Sequence, residues 1–344
     1  MMSKNRTIKI IGGGLAGLSL GIALRYRNIP VEIHEAGYYP RHRVCGEFIS
    51  GVTDETLADL GILDLFDDVL KHHTIKWFKH DALMYTGKLP NPARAVSRYK
   101  LDLNLAKRFR ELGGVLKENS RAKVISSEGT VICCGRKPEK ESSWIGLKMH
   151  VENFDTCADL EMHMGEYGYV GLSKVENGYT NICGLFKCIK RTNSPKNKLL
   201  LSYLKACNLH SLASKMNRAN IVENSISAVA AFHLGWQNNS NNQNLLCLGD
   251  HCTMIPPFTG NGMSMAFESA ALSIEPLVKW YDGALLWPEV CHSTKKGLYH
   301  KFRRRILAAQ SMHFFLTNRV GQKALHLFCQ NHLLPFTLAY RAVR

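Results

Sequence analysis

The sequence predicts an α/β protein in three parts: a parallel-sheet domain assembled from separated stretches of chain, an antiparallel-sheet (α+β) domain, and a C-terminal helical segment. Three observations predict it. Residues 8–35 read as strand, turn, helix and strand; residues 144–186 read as strands with an Asn-Gly turn; residues 245–272 return to a buried strand, a glycine turn and a helix.

Taken in order, Ile8, Ile10 and Ile11 form a short buried strand, and Gly12, Gly14 and Gly17 supply G-x-G-x-x-G at its end, before a helix over 18–27. Gly12 permits the tight turn, Gly14 lets the backbone approach a pyrophosphate, and Gly17 lets the helix lie against the strand. The helix N-terminus then faces the phosphates. Residues 30–34 make the second strand, and Glu35 closes it 23 residues after Gly12, placed to accept ribose hydroxyls. This is a Rossmann-like unit for an ADP moiety, with Leu15, Ala16 and Ala36 as further cofactor-binding candidates.

Leu101, Leu105, Phe109 and Leu112 are spaced by four, four and three, which predicts a helix over 97–112 that Gly113-Gly114 stop. Val131 to Cys134 is a short strand ending at Gly135. Residues 167–186 hold two apolar runs around Glu176-Asn177-Gly178, a hairpin signal. The stretch 238–244, NNSNNQN, reads as a surface loop at a domain boundary. Leu245 to Leu248 is a buried strand that returns the chain to the first domain, followed by Gly249-Asp250 and a helix over 262–272.

At 344 residues the chain accommodates two domains, and 45% hydrophobic content supports real cores. Eleven cysteines without C-x-x-C pairs, and no apolar leader with a cleavage site, imply a reducing, cytoplasmic compartment. No stretch is apolar enough for a bilayer span. A net charge of +16 either favours acidic partners, an anionic membrane surface or an acidic carrier protein, or is a basic solvated surface with no specific partner. Nucleic acid is disfavoured, since zinc-finger spacing, RNA-recognition signatures and basic runs interleaved with aromatics are all missing. His72-His73 follows Lys71 and reads as exposed helix-end residues. With no H-E-x-x-H and no Cys/His set at ligand spacing, no metal is expected. The absence of G-x-S-x-G argues against a serine hydrolase. In 295–305, KKGLYHKFRRR, Leu298, Phe302 and Ile306 share one face; the helix either touches a membrane surface or carrier, or packs with a solvated basic face.

The segment 245–271, LLCLGDHCTMIPPFTGNGMSMAFESAA, resembles the second cofactor motif of FAD-dependent oxidoreductases of the aromatic-hydroxylase and geranylgeranyl-reductase superfamily. The resemblance implies that Asp250 contacts the ribityl chain, and that the turn of Pro256, Pro257, Gly260, Gly262 and Met263 brings N–H groups and a helix N-terminus to the flavin, which favours the anionic reduced form. Residues 41–49, RHRVCGEFI, are similar to the family's Cys-Gly loop beside the isoalloxazine and include Arg43. Arg98 to Asp102, RYKLD, resembles the Arg-x-x-x-Asp element that opens a helix near FAD, and the hairpin GYVGLSKVENGYTNICGL resembles a substrate-domain hairpin. Together these segments cover roughly residues 7–290.

The implied domains are 1–50, 95–137 and 243–290 for FAD, 51–94 and 138–242 for substrate, and 291–344 as a helical region. The implied activity is FAD-dependent oxidation or reduction of a hydrophobic prenyl or polyketide-type molecule, by C–C reduction or dehydrogenation, or by flavin-hydroperoxide monooxygenation. A flavin-binding module without turnover, associated with a carrier or membrane surface, is the alternative. Gly135-Arg136 stands where the hydroxylases carry Asp-Gly; Gly135 is a cofactor candidate and NAD(P)H the candidate electron donor. The halogenase Trp-x-Trp-x-Ile-Pro and prenyl-reductase Tyr-x-Trp-x-Phe-Pro elements are absent, and Cys-Gly-Glu-Phe replaces Cys-Gly-Gly.

Cys45 and Glu47 are the catalytic candidates. Cys45 is either a redox-active or proton-delivering thiol or a small packing residue. Glu47 either has its pKa raised in a desolvated cleft, where it could relay a proton, or pairs with Arg41 or Arg43.

Overall fold

The computed structural model describes residues 6–137, 139, 142–188, 194–231, 233–237 and 244–344. The chain opens with β1 (Ile8–Ile11), α1 (Leu15–Arg25), β2 (Val31–His34), β3 (Phe48–Ile49), α2 (Asp54–Asp59), β4 (Leu70–Lys79), β5 (Ala82–Ala95), α3 (Arg98–Glu111), β6 (Val115–Lys117) and β7 (Thr130–Ile132). Next come β8 (Trp144–Glu152), β9 (Leu160–Met164), β10 (Gly168–Lys174), β11 (Thr180–Lys187), α4 (Lys196–Ala206), α5 (His210–Asn217), β12 (Asn220–Ala230), β13 (Gly235–Trp236), β14 (Leu246–Cys247) and β15 (Thr253–Met254). Four helices finish it: α6 (Gly262–Tyr281), α7 (Trp287–Thr317), α8 (Arg319–Gln330) and α9 (Phe336–Ala342).

The first sheet has the order β14-β7-β1-β2-β6, with every pairing parallel. All its strands therefore end on one edge, where the connecting loops gather. Helix α1 is buried along nearly its whole length because it lies between this sheet and helices α3 and α6. It begins at Leu15, earlier than the sequence suggested, since Gly17 and Gly21 sit inside it at points of close approach. Helix α3 starts where the Ser97 hydroxyl accepts from Lys100 N at 3.0 Å, and it buries Leu101, Leu105 and Phe109. Gly113, at φ 75, lets the chain turn away after it.

The second sheet has eight strands in the order β12-β8-β11-β10-β9-β4-β5-β3. It is mixed rather than purely antiparallel, because β4 runs parallel to β9 while pairing antiparallel with β5. Helices α4 and α5 cover one face, setting Tyr203, Leu204, Leu212 and Met216 against Met149, Ile182 and Phe186. The β10–β11 hairpin turns at Asn177 and Gly178, whose φ values are 62 and 73. That conformation is why Asn-Gly stands there. Asn177→Gly should leave stability nearly unchanged, whereas Asn177→Val should lower it by about 1–2 kcal/mol through left-handed strain, measured by urea unfolding.

Two expectations need correcting, and a third, left open between two readings, is decided for the packing helix. His72 is no exposed helix end: it lies in β4, is buried, and its Nε2 lies 3.2 Å from Ser173 Oγ and 2.9 Å from Lys174 O. The stretch 51–94 divides, because Leu57, Leu60, Ile62 and Phe66 pack into the core of the parallel sheet and only β4 and β5 join the second one. The helix proposed for residues 295–305 belongs to α7, which starts before residue 291, and Leu298, Phe302 and Ile306 are buried in that same core. Their face is a packing face and is not free for a membrane. Residues 238–243 of the predicted loop lie outside the described residues. Among the described residues no helix is long and apolar enough to cross a membrane.

Candidate functional site

The glycines of the first loop divide by what surrounds them. A Cβ on Gly12, at φ 108, would stand 2.2 Å from Cys133 O, and one on Gly17 would stand 2.1 Å from Gly12 O. The chain itself requires both. Gly14 differs, with an ordinary φ of −86 and no atom within 4 Å of the Cβ position. Gly135, after β7, is equally open. Helix α1 begins directly after Gly14, and its first N–H groups have no intrahelical acceptor. Leu15 and Ala16 turn their side chains into the core, so what they offer a ligand is backbone N–H.

Glu35 is buried at the end of β2. It accepts Gly13 N at 2.8 Å, Gly37 N at 2.9 Å and Arg41 Nη2 at 2.5 Å, with Arg43 Nη2 at 3.5 Å. The Tyr39 hydroxyl donates to Gly13 O, fixing the loop from the other side. Ala36 is exposed at the rim. Arg43 continues to Asp102 at 3.0 Å, and Asp102 also receives two bonds from Arg98, at 2.7 and 2.8 Å. Three separated segments are thereby tied along one edge.

Asp250 follows β14 at that edge. It is half-buried, and among the described residues its carboxylate has no hydrogen-bond partner. Burial pushes its pKa up to about 6 against the opposing charges of Arg98 and Arg136. Beyond it the turn at 256–261 brings Gly260, at φ 64, beneath the Phe48 ring and leads through Gly262 into the twenty-residue α6. Pro257 is exposed on this turn and Met263 is buried behind it. Arg344 donates to Thr259 O at 3.2 Å and to Ser50 Oγ, while Asn261 Nδ2 donates to Val343 O. The turn is held from behind.

The Cys-Gly loop is clamped by the second sheet. Asn181 Nδ2 donates to Cys45 O at 3.0 Å, and burial raises the Cys45 thiol above its ordinary range, so it stays protonated. Glu47 is fully buried at φ 59, with His150 Nε2 at 2.5 Å, Lys148 Nζ at 3.2 Å and Arg98 N donating at 3.0 Å. Burial alone would raise its pKa, but the His150 hydrogen bond and the Lys148 charge bring it below the usual carboxylate value. This corrects both expectations for Glu47. It is ionised rather than a raised acid, and its partners are Lys148 and His150, since Arg41 and Arg43 are engaged by Glu35 and Asp102.

His42, Glu47 and His150 bring ligand atoms within 4.8 Å of one another, a spacing that could hold a metal ion. Lys148 Nζ, 3.0 Å from His42 Nδ1, takes the cation's place among them. Burial and the neighbouring Lys148 and His150 push the His42 pKa down to about 4.

No protein-family model matches the sequence. Conditioned medium factor receptor 1 of Dictyostelium discoideum is 22% identical over 365 residues, spanning 90% of this chain and 70% of that protein. Among solved structures, the flavin-dependent brominase Bmp2 superposes with a TM-score of 0.76 at 14% identity, covering 98% of this chain and 93% of its own. HpxO of Klebsiella pneumoniae, complexed with FAD, gives 0.73 at 12% identity, covering 98% of each chain. PqsL of Pseudomonas aeruginosa, in complex with 2-aminobenzoylacetate, gives 0.72 at 12%, covering 93% of this chain and 99% of its own. The chain has the flavin-dependent oxidoreductase fold. That likeness runs through the C-terminal helices, well past the residue 290 where the sequence resemblance stopped. Within this flavin-oxidoreductase fold, sequence reasoning missed Lys148, His150 and Asn181. The signal for the first two was a Lys and a His two apart, hence on one face, within the largely apolar strand WIGLKMHVE.

Proposed function

We propose that the chain binds FAD non-covalently along the shared edge of the parallel sheet and catalyses oxygen transfer to a hydrophobic small molecule. The observation that carries this is Asp250, a half-buried carboxylate with no hydrogen-bond partner among the described residues, on the same edge as two open glycine faces. Its oxygens are unpaired among the described residues and the residue is only half-buried, so a ligand hydroxyl can reach and donate to them, and a ribityl hydroxyl is such a donor. The pyrophosphate would lie over Gly14 and the α1 N-terminus. Glu35 has about four acceptor positions, and the long contact to Arg43 is the one a ribose hydroxyl could replace. When bound, FAD would supply the redox and oxygen-transfer chemistry.

The protein's part is to bind, orient and exclude water. The α6 N-terminus and the N–H groups around Gly260 and Gly262 would favour negative charge at the flavin's pyrimidine edge. Glu47, already ionised and fully bonded, positions the Cys-Gly loop and Arg98. Beside the turn at 256–261, Tyr169, Phe258 and Trp144 surround His313, neither of whose ring nitrogens has a hydrogen-bond partner among the described residues. This apolar wall with one polar group suits a largely hydrophobic substrate. Oxygen transfer is favoured over C–C reduction by the likeness to PqsL, described as a probable FAD-dependent monooxygenase.

The purified protein should be yellow and release FAD on acid denaturation, and it should oxidise NADH or NADPH faster when its substrate is supplied. Recovery of another nucleotide would overturn the cofactor assignment, and bound FAD without turnover would favour the non-catalytic module. Asp250→Ala should weaken FAD binding roughly ten- to a hundredfold, the loss of one charge-assisted hydrogen bond. Because hydroxyl donors favour the ionised carboxylate, wild-type affinity should fall as pH drops through about 6. Asp250→Asn should flatten that profile, as followed by quenching of flavin fluorescence.

A further inference from the structure

Residues 291–344 contain ten Lys and Arg and no Asp or Glu, so more than half of the net charge of +16 resides there. The buried stripe of α7 uses up Leu298, Phe302 and Ile306, but at its far end Phe314 and Phe315 face solvent. Helix α8 continues this outward surface with Val320, Leu327 and Phe328, and Leu333 follows in the next turn. The two ends adjoin: a Cβ on Gly321 would stand 2.6 Å from Phe315 Cα.

The helical spacing sorts α8 into three sectors. Leu325 and Cys329 turn towards the protein, whereas Val320, Leu327 and Phe328, at i, i+7 and i+8, form a solvent-facing apolar stripe, with the half-buried Ala324 at i+4. Arg319, which also donates to Glu166 at 3.2 Å, and Lys323, at i and i+4, put two exposed cations along the other side of it, with the half-buried His326 on the same line. Isolated exposed apolar residues need no partner, but a contiguous set edged by cations marks an interaction surface.

We propose that this face seats on an anionic membrane surface. The apolar side chains enter the boundary between headgroups and acyl chains, and the cations meet lipid phosphates. Charge selects this occupant. A second copy would set one basic helical segment against another, with Glu166, paired to Arg319, as the acid beside the face, so self-association is opposed, whereas an anionic bilayer complements it. The inference stands apart from the cofactor assignment and does not depend on it.

Co-sedimentation of the full-length protein with vesicles tests it, using phosphatidylcholine alone and phosphatidylcholine with one-third phosphatidylglycerol. Partition is expected only into the anionic vesicles and should weaken as salt rises. Lys323→Gln should reduce it about fivefold, the equivalent of about 1 kcal/mol per surface cation. The double change Leu327→Ser with Phe328→Ser should reduce it at least about tenfold. Both positions are exposed, so circular dichroism should be unchanged, and Val320→Ser serves as a second apolar variant. No partition into anionic vesicles, or partition unaffected by the apolar changes, overturns the proposal. So does a concentration-dependent dimer abolished by the same changes, or binding to polyglutamate without binding to vesicles.

Discussion

Gly14→Val is expected to leave the protein folded and strip it of FAD. The two halves of that expectation have separate causes. Gly14 has an ordinary φ of −86 and nothing within 4 Å of its Cβ position, so the protein itself does not oppose a side chain. A branched side chain there would instead stand where a pyrophosphate must approach the backbone. Affinity should fall more than about a hundredfold, roughly 3 kcal/mol, while the melting temperature of the apoprotein stays close to wild type. Gly12→Val is the contrasting control, because φ 108 and the contact with Cys133 O make it a folding defect first. Stoichiometric FAD in purified Gly14→Val would place the nucleotide elsewhere.

Glu47→Ala should produce the largest loss of stability. The change leaves Lys148 and His150 buried without their anion, and breaking a buried pair from one side costs about 3–5 kcal/mol. Replacing Glu47 and Lys148 together with apolar residues should recover part of that loss, since it removes the orphaned charge. A double-mutant cycle in chemical denaturation measures the coupling. The pH dependence has a definite sign. A carboxylate whose folded pKa lies below its ordinary 4.5 stabilises the fold above that value and loses the contribution as pH falls through the folded pKa. The stability gap between wild type and Glu47→Gln should therefore narrow only in acid, below about pH 4.5. A gap independent of pH would mean that Glu47 acts by packing alone.

What could be read in advance was local. Gly12, Gly14, Gly17 and Glu35 occupy one contiguous stretch, so their spacing dictates a backbone path, and Asn177-Gly178 dictates a turn for the same reason. Gly249-Asp250 was legible as part of a long pattern. The surroundings of Glu47 were not. His150 lies 103 residues away and meets Glu47 only once β8 is laid beside the Cys-Gly loop. Without that neighbour, a buried glutamate reads as an acid with a raised pKa, which is the wrong direction. His72 failed similarly, because a His-His pair after Lys looks like a solvated end until β4 is paired on both sides. For 295–305 the amphipathic pattern was right, but a pattern does not say which side is covered. Packing decided that Leu298, Phe302 and Ile306 face inward and moved the free apolar surface to α8.

The order of the parallel sheet also bears on how the protein is made. Strand β7 is added beside β1, but its outer neighbour β14 is encoded more than a hundred residues later, as is α6, which packs on α1. At roughly 5–20 residues per second, a ribosome needs on the order of ten seconds to cover that distance. Until then β7 is an unprotected edge on a nascent chain, a site for pairing with the wrong strand. Asp250 emerges on the same later segment, so flavin can rescue only chains whose synthesis has passed it. Yield in a heterologous host should accordingly respond more to slower synthesis and lower temperature than to added riboflavin.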